Sequence, residues 1–207
     1  MTASTTLRDV IGLPQELPRL GESTLIMIDF QNTYRTGVMR LDGAEEAVAA
    51  GARLLAAARA AGAPVVHVVN DGGEGTPYDI RAEIGSISAE VAPIAGEKVV
   101  VKQVPNAFHG TDLEETLKGL AGGAGGDLVI AGFMTHMCVL FTAQGAFNLG
   151  YRPSVVAEAT ATRPLAAPDG TGTVVASDAL QVASLTTVSD LFGTVARTVD
   201  ELVASNG

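Results

Sequence analysis

The sequence predicts an α/β fold: a single domain with a doubly wound, mostly parallel sheet and helices on both of its faces. Short runs rich in valine and isoleucine alternate along the chain with alanine- and leucine-rich segments of helical length. The short runs are apolar at successive positions, which is typical of strands covered by helices on both faces. The chain has 207 residues, enough for one substantial core and few for two separate ones.

The first half of the chain begins with an arm at 1–23, which contains two prolines and little periodicity. We expect this arm to be irregular and to precede a domain at 24–207. The elements predicted next are strands at 24–29, 65–70 and 98–102, helices at 43–61 and 112–120, and a polar, glycine-rich loop at 71–77.

The second half continues the alternation of strands and helices. The predicted elements are strands at 128–131, 153–157 and 193–198 and helices at 136–149, 177–191 and 199–204. Gly132 is expected to end the strand before it, and Thr135 is expected to cap the helix that follows.

The composition of the chain disfavours some classes of binding partner. The formal net charge is −10 and the sequence pI is near 4.6, so binding to nucleic acid or to an anionic membrane is disfavoured. No apolar stretch is long enough for a membrane span, and the N-terminus carries no pattern of a secretory signal. A single cysteine excludes an internal disulfide and a CxxC pair, so we expect a reducing cytoplasm. No motif indicates a cofactor.

Cys138 is the only cysteine, and it lies in the predicted first turn of a helix that follows a buried strand. Free amides and the positive end of the helix dipole favour a thiolate there, so the position predicts a lowered thiol pKa. A small apolar filler is the common role of a lone cysteine. Here a nucleophile is at least as well supported.

Two further reactive side chains stand at predicted strand ends, Asp29 after the first strand and Lys102 after the third. Ligands bind outside the carboxyl ends of parallel strands, so these side chains are expected to converge with Cys138. Asp29 would accept the thiol proton, and Lys102 would hold Asp29 ionised. The amides around Met134 and Cys138 would form an oxyanion hole.

Histidine is the usual partner of a catalytic thiol, so each of the three histidines is a candidate partner for Cys138. His67 lies within a strand among valines and is interpreted as a core residue. His136 is two positions from Cys138, too close along a helix to face it, although it could line the rim of a pocket. His109, on the loop after Lys102, fits a pocket wall and a surface loop equally well. Geometry therefore favours Cys–Asp–Lys over Cys–His.

Four segments carry a family resemblance, and together they span the domain: Met27 to Asn32, Val101 and Lys102 with Asn106 to Leu113, Gly132 to Val139, and Ala143 to Tyr151 leading into Ala157 to Ala161. In them the chain resembles the isochorismatase-like cysteine hydrolases, which include nicotinamidases and N-carbamoyl amidohydrolases. The resemblance implies that 24–207 is a hydrolase domain of that fold. It also implies a triad of Asp29, Lys102 and Cys138, a thioester intermediate, and a cis peptide between Phe133 and Met134.

The sequence departs from the family pattern at two places. Zinc-binding members have an Asp-x-His pair after the second strand, whereas this chain has Asn70 and Asp71 followed by glycines. We therefore expect no metal. Glu158 stands where the family usually has aspartate, a change expected to affect a structural contact and to leave the triad intact.

The resemblance leads to the prediction of a metal-independent hydrolase of an amide, lactam or ureido C–N bond in a small molecule. Vinyl-ether hydrolysis of the isochorismatase type and a non-catalytic, redox-responsive binding protein are the alternatives. The loops at 31–39, 71–84 and 105–110 are expected to set specificity. The side chains expected to bind substrate are Gln31, Phe108, His109, Phe133, Thr135 and His136. A homodimer or homotetramer is expected from the resemblance alone.

Overall fold

The computed structural model describes residues 2–120, 123 and 125–204. Its centre is a sheet of six strands, all parallel, in the order β3-β2-β1-β4-β5-β8. The strands are β1 (Thr24–Ile28), β2 (Val65–Asn70), β3 (Lys98–Lys102), β4 (Asp127–Phe133), β5 (Arg152–Ala161) and β8 (Thr194–Ala196). A separate two-stranded hairpin consists of β6 (Leu165–Ala166) and β7 (Val174–Val175).

The helices are α1 (Leu7–Val10), α2 (Ala44–Ala60), α3 (Leu113–Lys118), α4 (Leu140–Asn148), α5 (Ser177–Thr187) and α6 (Val199–Ala204). Of these, α2, α3, α4 and α5 lie between strands, α1 precedes the first strand and α6 follows the last. A π-helical turn, Thr135–Val139, precedes α4, and another, Val188–Phe192, extends α5. None of the helices in the described part of the chain is long and apolar enough to cross a membrane.

The sheet is buried on both faces, as its apolar strands require. In β1, Leu25 and Met27 belong to one hydrophobic cluster, while Ile26 and Ile28 belong to the other. This alternation follows from the two-residue period of a strand. The first cluster includes buried side chains of α2 and α6, and the second includes those of α3 and α4. The predicted doubly wound α/β class is confirmed.

The predicted element order is confirmed, but two strands are longer than predicted. The strand before Cys138 does not end at Gly132, because Gly132 pairs with Ile28 on one side and Thr160 on the other. Gly132 has φ +128°, and a Cβ there would lie 1.8 Å from the Ile28 carbonyl oxygen. Glycine therefore permits β1 and β4 to approach closely here; it does not stop the strand.

Two local predictions are also corrected. Thr135 does not cap the helix; it is the first residue of the π turn, and its buried hydroxyl has no hydrogen-bond partner in the described part of the chain. Within the arm at 1–23, which was expected to be irregular, the structure has a short helix, α1, and a 3₁₀ turn at Leu20–Glu22.

The strand order reverses between β1 and β4. Connections leave these two adjacent strands toward opposite sides of the sheet, so a crevice opens outside their carboxyl ends. Asp29 directly follows β1, and Cys138 lies five residues beyond the end of β4. The topology thus positions both side chains at the place where ligands bind in such sheets.

Candidate active site

Asp29 is held at the end of β1 in a backbone conformation that few residues adopt. Its φ is +50°, the left-handed region, where the chain turns out of the strand. Its amide donates to the Val68 carbonyl at 2.8 Å, and the residue is fully buried. A non-glycine residue in this region costs about 1–2 kcal/mol, and such positions concentrate at functional sites.

Lys102 reaches from the edge strand β3 across the end of β2 to Asp29. Its Nζ lies 2.7 Å from Asp29 Oδ2, 3.2 Å from Asn70 Oδ1 and 3.2 Å from Cys138 Sγ. An ammonium has three N–H donors, and three acceptors surround this one. Burial alone would lower the pKa of Lys102, but Asp29 and Cys138 together raise it, so the ammonium stays charged.

Cys138 lies in the π turn between β4 and α4, where it is 6% exposed and its thiol is free. The Met134 carbonyl at the start of the turn accepts from the amides of Met137 at 3.0 Å and Val139 at 3.2 Å. The peptide bond between Phe133 and Met134 is cis, as the resemblance implied. The thiol sulfur accepts a hydrogen bond from Lys102 at 3.2 Å and lies close enough to Asp29 for the carboxylate charge to act on it.

The thiol is not acidic, contrary to the prediction from its position at a helix start. Burial and the adjacent Asp29 carboxylate raise the pKa of Cys138 to about 12, although Lys102 opposes them. Burial also raises the pKa of Asp29, against the attraction of Lys102. The resting site is therefore a protonated thiol beside an ion pair, and a more basic Asp29 is better matched to accept the thiol proton.

A cavity of about 370 Å³ opens above Cys138. It is lined by Tyr34, Met39, Asn70, Tyr78, Gln103, Val104, Pro105, Met134, His136, Met137, Cys138, Arg163 and Leu165. Each of the three loops predicted to set specificity contributes at least one of these residues. Of the six side chains predicted to bind substrate, only His136 lines this cavity.

Gln31 has a different position from the one predicted. It is fully buried, and its side-chain oxygen accepts from the Asn70 amide at 2.9 Å. Its Nε2 donates to the carbonyls of Asn70 at 3.0 Å and Gly85 at 2.7 Å. All of these bonds are to backbone, so Gln31 joins the ends of β1 and β2 and faces away from the cavity.

Four other predicted contacts lie outside the cavity. Phe133 is fully buried, with its ring centroid 5.0 Å from that of Phe30, and Thr135 is 1% exposed. Phe108 stacks on Tyr151 at 5.9 Å, and His109 lies on the exposed surface. These four side chains therefore do not line the cavity, although their positions in the sequence are near residues that do.

The other two histidines match their interpretations. His67 is 2% exposed and its Nε2 lies 2.9 Å from Glu97, so it is a satisfied core residue. His136 lies on the cavity wall with its Nδ1 2.5 Å from the Thr162 hydroxyl. Burial and then Arg163 lower the pKa of His136, so its imidazole is neutral near pH 7.

Arg163 is the cavity residue of most chemical interest that sequence reasoning missed. One Nη donates to Met39 Sδ at 3.7 Å, while its buried Nε has no hydrogen-bond partner among the residues that the structure describes. Within the described residues Arg163 forms no ion pair. It follows the carboxyl end of β5, so the rule that pointed to Asp29 and Lys102 could also have found it.

The residues at the end of β2 do not fit a zinc site. Asn70 accepts from Lys102, and both carboxylate oxygens of Asp71 accept from Arg81 at 3.0 Å. In the described ranges no three His, Cys, Asp or Glu side chains are close enough to share an ion. Three protein ligands are the usual minimum for catalytic zinc.

Glu158 lies away from the triad. Its Oε1 accepts from the Val199 amide at the start of α6 at 2.5 Å and pairs with Arg53 at 3.1 Å. Glu158 thus contacts the N-terminus of α6.

The isochorismatase domain model matches residues 23–200. The chain belongs to the isochorismatase family. A crystal structure of an isochorismatase from Pseudomonas putida KT2440 has a TM-score of 0.89 and 37% identity, with 97% of this chain and 100% of that one covered. The secreted isochorismatase effector Isc1 of Verticillium dahliae is 30% identical over 95% of this chain and 98% of its own length. This family member is accordingly a hydrolase.

Two other relatives of the family carry a substrate in their names. The ureidoacrylate amidohydrolase RutB of Variovorax paradoxus is 30% identical over 93% of this chain and 87% of its own length. The maleamate amidohydrolase of Pseudomonas putida is 33% identical over 67% of this chain and 72% of its own length.

Proposed function

We propose that this protein hydrolyses the amide or ureido C–N bond of a small carboxylate-bearing molecule through a thioester on Cys138, without a metal. One observation carries the proposal. A single lysine ammonium contacts both the Asp29 carboxylate and the Cys138 sulfur at the base of a cavity. That arrangement supplies a nucleophile, a base for its proton and a cation that fixes the base.

In the first half-reaction the Cys138 sulfur attacks the carbonyl carbon while Asp29 takes the thiol proton. Attack concerted with proton transfer avoids a free thiolate, which the raised pKa of Cys138 disfavours. The amides of Met134 and Cys138 would stabilise the oxyanion. The C–N bond then breaks, the proton held by Asp29 passes to the leaving nitrogen, and the acyl group stays on sulfur as a thioester.

In the second half-reaction water attacks the thioester carbonyl. Asp29 takes a proton from the water, the C–S bond breaks, and the proton returns to the sulfur. The products are one amine or ammonia and one acid, and the site returns to its starting state. Lys102 stays protonated throughout, because its raised pKa keeps it cationic.

The position of Arg163 is the reason for proposing that the substrate carries a carboxylate. It is a cavity-lining cation without a carboxylate partner in the described part of the chain, and its Nε is buried and unpaired. A guanidinium in this state favours an anionic ligand, with which it forms charge-assisted hydrogen bonds. Ureidoacrylate and maleamate, in the names of two relatives, are both acids.

The redox-responsive alternative is less well supported. Redox-sensor cysteines are accessible and have a low pKa. Cys138 is 6% exposed and its pKa is raised to about 12.

Paired substrates test the proposal. Ammonia release would be measured with maleamate and its uncharged analogue maleamide, and with ureidoacrylate and its primary amide. We expect kcat/KM to be at least about tenfold higher for each acid than for its uncharged amide. This ratio is the order of the free energy of one charge-assisted hydrogen bond. Arg163→Met should remove this preference, whereas Arg197→Met, at an exposed ion pair with Glu201, should keep it. Equal turnover of acid and amide by the unmodified enzyme would contradict the proposal that the substrate carries a carboxylate.

A homo-oligomer and a cytoplasmic location are further proposals, supported by the resemblance and by cysteine usage respectively. Light scattering coupled to size-exclusion chromatography would measure the oligomeric state, and a mass of one 21.1 kDa chain would contradict it.

A further inference from the structure

A second cavity, of about 400 Å³, lies at the amino-terminal ends of the strands, opposite to the ends near Cys138. Its inner wall includes the first residues of β4, β5 and β8, and its outer wall is the N-terminal arm from Arg8 to Pro18. Most of its wall is apolar, from Leu13 and Leu17 of the arm to Phe147 and Phe192 of the domain. The proposed reaction uses none of these residues.

Arg8 brings a positive charge into this wall. It is 7% exposed, and one Nη donates to the Leu191 carbonyl at 3.3 Å while the other donates to the Pro14 carbonyl. Its buried Nε has no hydrogen-bond partner in the described ranges. The bonds it does make are to neutral carbonyls, so they leave the charge of the guanidinium uncompensated.

Of the charged groups near the cavity, Asp9 acts on Arg8 through its charge, but none of those that the structure describes forms an ion pair with it. Asp127 and Arg152 satisfy each other through two bonds of 2.8 and 2.9 Å. Glu16 is at the exposed side of the arm. Asp9, next to Arg8 in the chain, is exposed and accepts from Thr6 and Gln15. Among the described residues Arg8 has no ion-pair partner, although buried arginines are rarely without one.

We propose that this cavity binds a small carboxylate with an apolar alkyl or aryl body. The carboxylate would pair with the Arg8 guanidinium where it lines the cavity, and the body would lie between the two leucines of the arm and the two phenylalanines of the domain. The cavity volume falls within the range of roughly 300–1,000 Å³ found for small-molecule sites. Because the arm forms the outer wall, the ligand would also fasten the arm to the domain, where the Leu7 amide already donates to Asp190 at 3.0 Å.

Octanoate is the probe, and octanol, of the same chain length, is its uncharged control. Binding would be measured by calorimetry and by amide chemical-shift changes, in an Arg163→Met background that removes the carboxylate anchor of the Cys138 cavity. This background keeps the test separate from the proposed function. We expect one octanoate per chain, shifts at Gly150 and Ser154, and binding of octanol weaker by at least about tenfold.

Arg8→Met should weaken octanoate binding by at least about tenfold, while Arg19→Met, at an exposed ion pair of the same arm, should leave it unchanged. Should Arg8→Met release the arm, the comparison of octanoate with octanol in the protein with native Arg8 still tests the charge. The proposal is overturned if octanoate shows no saturable binding, if octanol binds equally well, or if the shifts lie at the Cys138 cavity.

Discussion

Lys102 Nζ lies 2.7 Å from Asp29 Oδ2, and neither side chain is exposed to solvent. Two buried ions at this distance stabilise each other's charged form, and removal of either one leaves the other without compensation. The pair lies between the ends of β1 and β3, so it also links two strands that are not neighbours in the sheet.

Lys102→Met should destabilise the fold and abolish turnover. The unpaired Asp29 carboxylate then costs about 3–5 kcal/mol of unfolding free energy, measured by urea denaturation. The double variant Asp29→Asn with Lys102→Met should recover much of that stability and no activity, because the buried charge is gone and the base is gone too. Lys118→Met, at the surface pair with Glu114, is the control and should change stability by less than about 1 kcal/mol. An active Lys102→Met enzyme would contradict the role assigned to the pair.

Alkylation of Cys138 should be slow near pH 8 and should rise steadily with pH. The pKa of the thiol is raised to about 12, so the reactive thiolate is scarce well above the free-cysteine value of about 8.5. Asp29→Asn removes the repulsion of the carboxylate, so it should lower the thiol pKa and speed alkylation at pH 8. Asp112→Asn, at the surface pair with Lys98, is the matched control. An iodoacetamide rate that levels off at or below pH 8.5 in the native enzyme would restore the acidic thiol predicted from the helix start.

Gln31→Leu should lower both stability and kcat. The change removes three bonds to backbone at the ends of β1 and β2 and leaves the buried Asn70 amide unsatisfied, which costs about 1–3 kcal/mol. Without these bonds Asn70 is no longer held in place. Its side-chain oxygen is then no longer positioned to accept from Lys102. Gln15→Leu, at an exposed side-chain contact with Asp9, is the control. A large rise in KM with unchanged kcat would instead indicate that Gln31 contacts substrate.

Turnover should survive exhaustive chelation. Lys102 occupies the position beside Asp29 and Asn70 where a divalent cation would have to approach, and its charge repels one. Activity before and after dialysis against a strong chelator, with elemental analysis of the native protein, would measure this. Stoichiometric zinc together with activity that is lost on its removal and regained on its return would overturn metal independence.

The fold and the approach of Asp29, Lys102 and Cys138 to one another could be predicted from the sequence because both depend on chain order. Apolar strands with helices between them form a parallel sheet, and the carboxyl ends of those strands meet at one edge. Asp29, Lys102 and Cys138 each stand just past or at such an end, so their approach requires no knowledge of side-chain direction.

Features that depend on packing could not be predicted in this way. The amide of Gln31 turns toward Gly85, a residue 54 positions away, and Phe108 turns toward Tyr151. The prediction of a lowered pKa for the Cys138 thiol is wrong for the same reason. The helix start is visible in the sequence, whereas the burial of Cys138 and its proximity to Asp29 are properties of the folded chain.

The most direct test of the central claim is intact-mass spectrometry of the enzyme during turnover of a hydrolysable amide acid, maleamate being the first choice. A covalent acyl intermediate requires a sulfur nucleophile, so the native enzyme quenched in acid should carry one acyl group, mapped to Cys138 and released by hydroxylamine. Cys138→Ala should carry none and should lose turnover while remaining folded. Hydrolysis at the native rate by Cys138→Ala would contradict thiol catalysis.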